Sequence, residues 1–162
     1  MRNFLCARLG TDHPLSIGIT RLLVRTYIEL FRNKQAAELQ TQVLQACLNS
    51  LGPDHPLTLK VKDTLAVILL HRGQYYEARK ISKEVVSDMK RVLGSDHEDT
   101  LIARSNLGKV LSRLFSYREA LELHLDVLER MNSTLGATHL ETLGAKENVA
   151  MAYLDVGEEK LE

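Results

Sequence analysis

Histidine is the residue type whose spacing in this sequence first suggests chemistry. Four of the six histidines recur every 42 residues, at His13, His55, His97 and His139. Imidazoles bind zinc and transfer protons, but zinc ligands must converge to within about 2.1 Å of one ion. Side chains repeated once per structural unit are held apart by helix packing distances of about 8–10 Å. We therefore expect these histidines to brace loops and to bind no metal.

Other signatures of catalysis or cofactor binding are missing from the sequence. It has no glycine-rich phosphate-binding loop, no nucleophile elbow and no zinc-binding motif. The remaining histidines, His71 and His124, have no cysteine or carboxylate cluster at ligand spacing. We therefore expect a protein without enzymatic activity, catalytic residues or a cofactor.

Composition excludes two further classes of function. The 21 basic residues balance the 21 acidic ones, and a nucleic-acid-binding protein would normally show a basic excess. No apolar run approaches the roughly 20 residues that span a bilayer. Cys6 and Cys47 fall in helical stretches of adjacent repeats, which favours free buried thiols of a reduced, cytoplasmic protein over a disulfide.

The repeated histidines belong to a longer repeated string, Leu-Gly-x-Asp/Thr-His. It occupies residues 9–13, 51–55, 93–97 and 135–139, with no insertion or deletion between copies. Such regular self-similarity is typical of a solenoid, in which one small unit is stacked on itself. Solenoids commonly bind other chains along an extended face, so the pattern already favours a binding function.

Each repeat contains two amphipathic helical stretches joined by a short turn. Apolar residues recur at helical spacing along both stretches, which predicts an all-α fold, an α-solenoid of antiparallel helix hairpins. The first stretch carries Val61, Leu65 and Leu69, matched by Ile19, Leu23 and Tyr27, by Ala103, Leu107 and Leu111, and by Ala145, Val149 and Tyr153. The second carries Ala78, Ile81, Val85 and Met89, matched by Ala36, Leu39, Val43 and Cys47, and by Ala120, Leu123, Val127 and Met131.

The loop residues have their own physical reasons. The repeated glycines, such as Gly52 and Gly94, follow a helix, where a left-handed C-cap favours glycine. The repeated Asp, or the His after it, then precedes the next helix, and either can serve as its N-cap. The small residue at Ala36, Ala78 and Ala120 allows the two helices of a hairpin to approach closely.

The repeat spacing divides the chain into units of one array spanning residues 1–162. We assign 1–8 to the tail of a preceding helix, 9–50 to repeat 1, 51–92 to repeat 2, 93–134 to repeat 3 and 135–162 to an incomplete repeat 4. Both ends fall inside a unit. We therefore expect the chain to be a fragment of a longer repeat array joined to other domains.

The residues of the second repeat resemble a known family. Leu51-Gly52-Pro53-Asp54-His55-Pro56, followed by Leu65-Ala66, Gly73, Tyr75, Glu77 and Ala78, is similar to the 42-residue tetratricopeptide repeat of kinesin light chains. The same repeat occurs in fungal and bacterial nucleotide-binding immune-type receptors. The resemblance implies a right-handed superhelix. Phe31 and Phe115 depart from it, because they stand where Gly73 closes the turn.

The resemblance also implies a binding site, since first helices line the concave groove of tetratricopeptide arrays. The expected peptide-binding residues are Arg21, Arg25, Lys60, Asp63, Thr64, Val67, Asn106, Lys109, Arg113, Asn148 and Met151. The asparagine amides can donate to and accept from a peptide backbone. The cations suit an acidic ligand, and the apolar side chains offer anchor points.

Together these features predict a non-catalytic protein–protein interaction module within a larger cytosolic protein. The expected partner is a protein or short peptide, acidic and with an apolar anchor, bound in the concave groove; nucleic acid and membrane are not expected. One alternative is the ligand-sensing repeat domain of an immune-type receptor. Another is a structural self-assembly module that associates weakly through the array ends.

Overall fold

The computed structural model describes residues 14–159, which form seven α-helices and no strand. The helices are α1 (Pro14–Glu29), α2 (Asn33–Leu51), α3 (Pro56–His71), α4 (Tyr75–Leu93), α5 (Glu98–Arg113), α6 (Tyr117–Thr134) and α7 (Leu140–Glu159). The tail assigned to residues 1–8, with Cys6, and the first loop, with His13, lie outside the described residues. No helix in the described range is both long and apolar enough to cross a bilayer.

The helices divide into two compact units, the first ending at Gln74 and the second beginning at Tyr75. In the first unit α1 packs against α2, and α2 against α3. In the second, each helix from α4 to α7 packs against the next, and α5 also contacts α7. Helices joined by such short connections run antiparallel. The fold class is therefore the predicted one, an all-α solenoid of helix hairpins.

The core of each unit contains most of the predicted apolar stripes, together with residues outside them such as Ile17 and Leu101. In α1 the prediction was wrong in register, because Ile19, Leu23 and Tyr27 are half-buried while Ile17 and Val24 are buried. In the first unit Val43 and Cys47 of α2 pack with Ile17 of α1 and Val61 of α3. In the second unit a cluster joins three helices through Leu101, Val127, Met131 and Ala145. Fully burying one such aliphatic side chain contributes roughly 1.5–3 kcal/mol, so these clusters dominate the stability of each unit.

The small repeated residue lies where close helix approach was predicted. Ala36, Ala78 and Ala120 have no exposed surface. The stripe does not continue to the end of α7, where Tyr153 is exposed although Ala145 and Val149 are buried.

The glycine after the second helix of a hairpin is required by its backbone. Gly52, Gly94 and Gly136 all have φ near +90°. Gly52 combines φ 86° with ψ 171°. That ψ lies outside the left-handed helical region expected of a C-cap and within a region essentially restricted to glycine. The loop therefore demands glycine more strictly than the sequence pattern indicated.

The residue that caps α3 and α5 is the repeated histidine. The sequence alone could not decide between this histidine and the Asp before it. His55 Nδ1 accepts from the backbone N–H of Leu57, and His97 Nδ1 from that of Asp99, both at 3.1 Å. Both histidines have extended backbone angles, as N-cap residues do. His139 Nδ1 makes the matching contact with the N–H of Glu141 at 3.4 Å. The repeated imidazoles thus serve local structure.

Removing one cap should lower the stability of the unit that carries it. His97→Ala leaves a backbone N–H of α5 without its side-chain acceptor, and lost caps typically cost about 1 kcal/mol. We expect urea denaturation to show that loss. His97→Asn keeps a capping side chain and should stay within a few tenths of a kcal/mol of the wild type. Equal stability of the alanine variant would contradict the assignment of this cap.

The turn inside each hairpin uses one backbone motif at three places. The residues in left-handed conformation are Phe31, Gly73 and Phe115, with φ of 56°, 75° and 61°. In each turn the following residue donates its N–H to a carbonyl five residues earlier, as Gln74 does to Leu69. This is a Schellman motif, which usually places glycine in the left-handed position. The left-handed conformation costs a non-glycine residue roughly 1–2 kcal/mol, so both phenylalanine turns are strained.

Candidate peptide-binding groove

The expected groove residues of α1 are solvent-exposed cations. Arg21 and Arg25 lie one helical turn apart and both side chains are exposed. Arg25 Nε lies 3.8 Å from the Glu29 carboxylate, an exposed pair one turn further along the helix. Such a pair is worth little in water, so Arg25 stays available to a competing anionic ligand.

The expected groove residues of α3 differ in their accessibility. Lys60 is exposed, while Thr64 and Val67 are half-buried. The Thr64 hydroxyl donates to the Lys60 carbonyl at 3.0 Å and so bonds within its own helix. Asp63 is buried, with only 9% of its surface exposed. Helical register alone placed Asp63 among the groove residues, but its carboxylate contributes little to an open surface.

In the second unit the expected residues come from two helices in contact, α5 and α7. Asn148 Nδ2 of α7 donates to Ser105 Oγ of α5 at 2.9 Å, which joins the two helices. Next to Ser105, Asn106 is half-buried, and one and two turns further along α5 Lys109 and Arg113 are exposed. The two helices therefore present amides and cations near one another.

The Asn148 hydrogen bond changes what that side chain can offer a ligand. An amide group has two N–H donors and one oxygen acceptor, and the bond to Ser105 uses one donor. The oxygen and the second N–H remain for a peptide backbone. The bond also fixes the amide plane, so a ligand would lose less side-chain freedom on binding. Met151, one turn along α7, is 59% exposed and supplies an apolar surface.

A buried imidazole lies behind α5. His124 of α6 is 3% exposed, and its ring packs against the backbone at Gly108. A methyl group on Gly108 would lie 2.5 Å from His124 Cε1, so only glycine fits beside the ring. Burial and then the charge of Lys109 lower the pKa of His124 to about 4, with Asp155 acting in the opposite direction. The ring is therefore a neutral packing element at neutral pH.

A network of ion pairs joins α5 to α6. The same network joins α6 to the loop that precedes α5. Arg130 donates to the Asp126 carboxylate at 3.0 and 3.1 Å and to Asp96 at 2.6 Å. Arg104, which is largely buried, donates to Asp126 Oδ2, an oxygen that also accepts from Arg130 Nε. Burial acts to raise the pKa of Asp126, but hydrogen bonds and charges from Arg104 and Arg130 outweigh it and lower the pKa. Asp96, which belongs to the repeated loop, thus forms an ion pair with α6, the second helix of its own repeat.

Sequence reasoning missed this network because no spacing rule pairs residues that lie on different helices. Arg104 and Asp126 are 22 residues apart. Their charges do recur at the matching places, with Lys62 and Lys146 for Arg104 and Glu84 for Asp126, whereas Arg130 is matched by Asp88. A second signal was Asp96, which belongs to the repeated string. Its repetition indicated a cap, whereas the carboxylate binds a neighbouring helix.

The described residues include few groups that could bind a metal or act as a nucleophile. Within residues 14–159 no group of three or more His, Cys, Asp or Glu side chains could hold a metal ion. Cys47 is buried and free; burial raises the pKa of its thiol, although the charge of Arg21 acts to lower it. A buried thiol with a raised pKa is a poor nucleophile. The groove residues can instead form hydrogen bonds and ion pairs.

Comparison with protein families places the chain among repeat proteins. Two models described as tetratricopeptide repeat match it, one over residues 21–57 and the other over residues 60–133. Together they cover well over half of the sequence. No curated protein matches the chain.

Solved structures of the same architecture superpose on nearly the whole chain. Two crystal structures of a Podosopora anserina protein, described as a kinesin light chain with nearly identical TPR-like repeats, match with TM-scores of 0.78 and 0.75. In both, identity is 26%, and the alignment covers 98% of this chain and 75% of the other. BtubC (BKLC) from P. vanneervenii matches at 19% identity and a TM-score of 0.73, over 88% of this chain and 57% of its own.

These comparisons agree with the repeated helix hairpins of the fold. The identity of 19% to BtubC supports the fold alone, while the family matches cover both units. The chain belongs to the tetratricopeptide-repeat family, and its repeats are of the kinesin-light-chain type.

Proposed function

We propose that this chain is the ligand-binding repeat region of a larger protein and that it holds a peptide on its first helices. Tetratricopeptide repeats are protein–protein interaction modules, and this fold typically serves as a non-catalytic scaffold, which supports the proposal. The more specific proposal, that the first helices bind a peptide, rests on the side chains at the surface of α5 and α7. There Asn106 and Asn148 lie near the exposed cations Lys109 and Arg113 and the exposed Met151.

The expected ligand is a short peptide with a few acidic residues and one apolar side chain. The asparagine amides would bond to its backbone, the cations to its carboxylates and Met151 to its apolar side chain. Glu147 and Asp155 also lie on α7, so the surface is not uniformly basic. This mixture favours a selective ligand over general attraction of polyanions.

Charge reversal on α5 tests the proposal. Peptides selected against the wild-type chain by display should bind the Lys109→Glu, Arg113→Glu double variant at least about tenfold more weakly. Two exposed ion pairs contribute about 0.2–1 kcal/mol each, repulsion adds to their loss, and about 1.4 kcal/mol is a factor of ten. Fluorescence anisotropy at two salt concentrations measures the loss, which should shrink as salt screens the charges.

A matched variant separates the groove from net charge. Lys80→Glu with Lys83→Glu changes charge equally, but both side chains are exposed on the second helix α4. It should retain wild-type affinity. If both double variants bind equally well, the ligand uses another surface and the groove assignment is wrong.

Self-association is the second candidate function, and one observation favours it. Leu143 of α7 is 45% exposed, whereas its repeat-matched counterpart Leu101 of α5 is fully buried. Tyr153 and Leu154 of α7 are also exposed. These apolar side chains could contact a second copy. Sedimentation at rising concentration, carried out before any titration, separates weak dimerisation from peptide binding.

The biological context has two candidates. A cargo adaptor would bind short linear peptides, while an immune-type receptor would sense a partner and release an effector domain. The full-length gene distinguishes them: a heptad coiled coil upstream favours the adaptor, and a nucleotide-binding P-loop favours the receptor.

A further inference from the structure

The hairpin turns carry aromatic side chains that stability does not explain. Phe31 is 88% exposed and Phe115 is 77% exposed, and both have left-handed backbone. Glycine would remove the strain, as Gly73 does at the matching place, and would also remove an exposed apolar ring. Folding therefore does not favour phenylalanine at position 31. At position 115 the ring contacts Tyr117, and a pair of this kind, worth about 0.5–1.5 kcal/mol, offsets only part of the strain of about 1–2 kcal/mol. Strained residues on a surface are a recognised mark of binding sites.

Charge at these turns has one sign. The repeat-matched segments 30–34, 72–76 and 114–118 contain two, one and one basic residues and no acid, although the chain as a whole is neutral. Glu77 and Glu119, which come next along the chain, lie in first helical turns, where the helix dipole favours acids. Glu29, just before the first segment, forms only a weak, exposed pair with Arg25, so its negative charge remains close to that turn. The turns thus combine exposed aromatic rings with an excess of cations.

In the second unit the aromatic rings and the cations lie at the same end of the helices. Phe115 and Tyr117 form an edge-to-face pair with ring centroids 5.9 Å apart. Because α4 and α5 run antiparallel, Tyr76 at the start of α4 lies at the same end. Tyr76 is exposed, and Arg79 lies over its ring at 5.8 Å. We call the Tyr76, Phe115 and Tyr117 rings, with Arg113 and Arg118, the aromatic turn surface.

We propose that the aromatic turn surface docks an acidic segment of a partner protein, with an aromatic or aliphatic side chain of that segment resting on Phe115. The basic residues select an acidic partner by charge, and the exposed rings supply apolar contact that water disfavours. The aromatic turn surface shares Arg113 with the expected groove residues, but its three rings lie outside them, so substitutions at Phe115 test it separately from the groove. The matching turn of the first unit, with Phe31, Arg32 and Lys34, offers the same chemistry.

The test uses a synthetic probe peptide of about ten residues, mostly aspartate with two phenylalanines, titrated into the isotope-labelled chain and followed by NMR. The largest shift changes are expected at residues 114–118 and 30–33. Phe115→Gly should weaken binding at least about threefold, and adding Phe31→Gly should abolish most of it. The Tm should rise by a few degrees, since glycine relieves the turn.

The opposite directions of these effects exclude a purely structural role for the rings. Probes with serine in place of phenylalanine, or lysine in place of aspartate, should bind much more weakly. The proposal is overturned if the probe does not bind, if Phe115→Gly binds it as the wild type does, or if shifts are confined to Asn106, Asn148 and Met151. That last outcome would support the groove alone.

Discussion

Gly108→Ala is expected to destabilise the second unit by about 1–2 kcal/mol. The new methyl group would lie 2.5 and 2.6 Å from His124 Cε1 and Nε2, well inside contact distance. The ring cannot easily turn away, because His124 is buried. Overpacking of this kind costs about 1–3 kcal/mol, and the better helix propensity of alanine offsets up to about 1 kcal/mol. Urea denaturation measures the loss.

Gly144→Ala is the matched control. It makes the same substitution within a helix, but nothing lies within 4 Å of the added methyl group. We therefore expect a gain of about 0.5–1 kcal/mol from helix propensity alone. If Gly108→Ala lowers the free energy of unfolding while Gly144→Ala raises it, the loss at Gly108 is due to its contact with His124. A Gly108→Ala variant that gains stability as Gly144→Ala does would contradict the packing argument.

Shortening the ring should rescue the variant. Ser82 occupies the place on α4 that His124 occupies on α6, so serine is already compatible with this position in the repeat. His124→Ser alone leaves a cavity and should destabilise. Combined with Gly108→Ala it leaves room for the methyl group. The double-mutant cycle should therefore give a favourable coupling of at least about 1 kcal/mol.

Much of the fold could be predicted because it depends on local, repeated features. Apolar residues at helical spacing set the buried faces, as Val61 and Leu69 of α3 illustrate. Glycine at a fixed place set the loops. The exact cap could not be predicted, since Asp and His are both good acceptors and only the backbone geometry places His97 next to the N–H of Asp99.

The sequence pattern also did not predict that a buried Ser or Thr recurs in every repeat, and the reason is different. Ser16, Thr58, Thr100 and Thr142 lie three residues after the repeated histidine, and all are buried. Ser and Thr are mostly exposed in folded proteins, so their identity points away from the burial that the structure shows. Thr142 donates to the Met131 carbonyl at 3.4 Å, a bond to the preceding helix that no spacing rule contains.

The exposure of the expected groove residues was predictable only in part, and their role in binding stays a prediction. Register placed Lys109 and Arg113 at the surface, and both side chains are exposed. It could not foresee that Asp63 is buried or that Asn148 bonds to Ser105. Those properties depend on how neighbouring helices meet, which is set by side chains far apart in sequence. The packing of Gly108 against His124 depends on the same kind of contact.

His124 should make the second unit sensitive to acid. Burial first, and the charge of Lys109 next, lower the pKa of His124 from 6.5 to about 4, while Asp155 acts to raise it. Protonation would place a charge in a buried site whose Nδ1 has no hydrogen-bond partner. In the unfolded chain the protonated ring is in water, so its charge has no such desolvation cost. Protons therefore bind preferentially to the unfolded state.

The sign and range of the effect follow from this preference. Above pH 6.5 the ring is neutral in both states, and stability does not depend on it. As pH falls from 6.5 towards 4 only the unfolded state is protonated, so stability falls. Below about pH 4 both states are protonated and the loss levels off. A shift from 6.5 to about 4 corresponds to a total loss of about 3 kcal/mol at 1.36 kcal/mol per unit.

Comparison of the wild type with His124→Gln isolates this contribution. Glutamine occupies the matching place on α2, where Gln40 donates to the Val61 carbonyl at 2.7 Å, and it does not titrate. Urea denaturation at pH 7 and pH 4.5 should show the wild type losing about 2 kcal/mol more than the variant between these pH values. The stability of the variant at pH 7 is immaterial, because the measured quantity is the difference in pH dependence. Parallel pH dependences would mean that the imidazole is protonated as easily in the folded chain as in water, and that it is not enclosed behind α5.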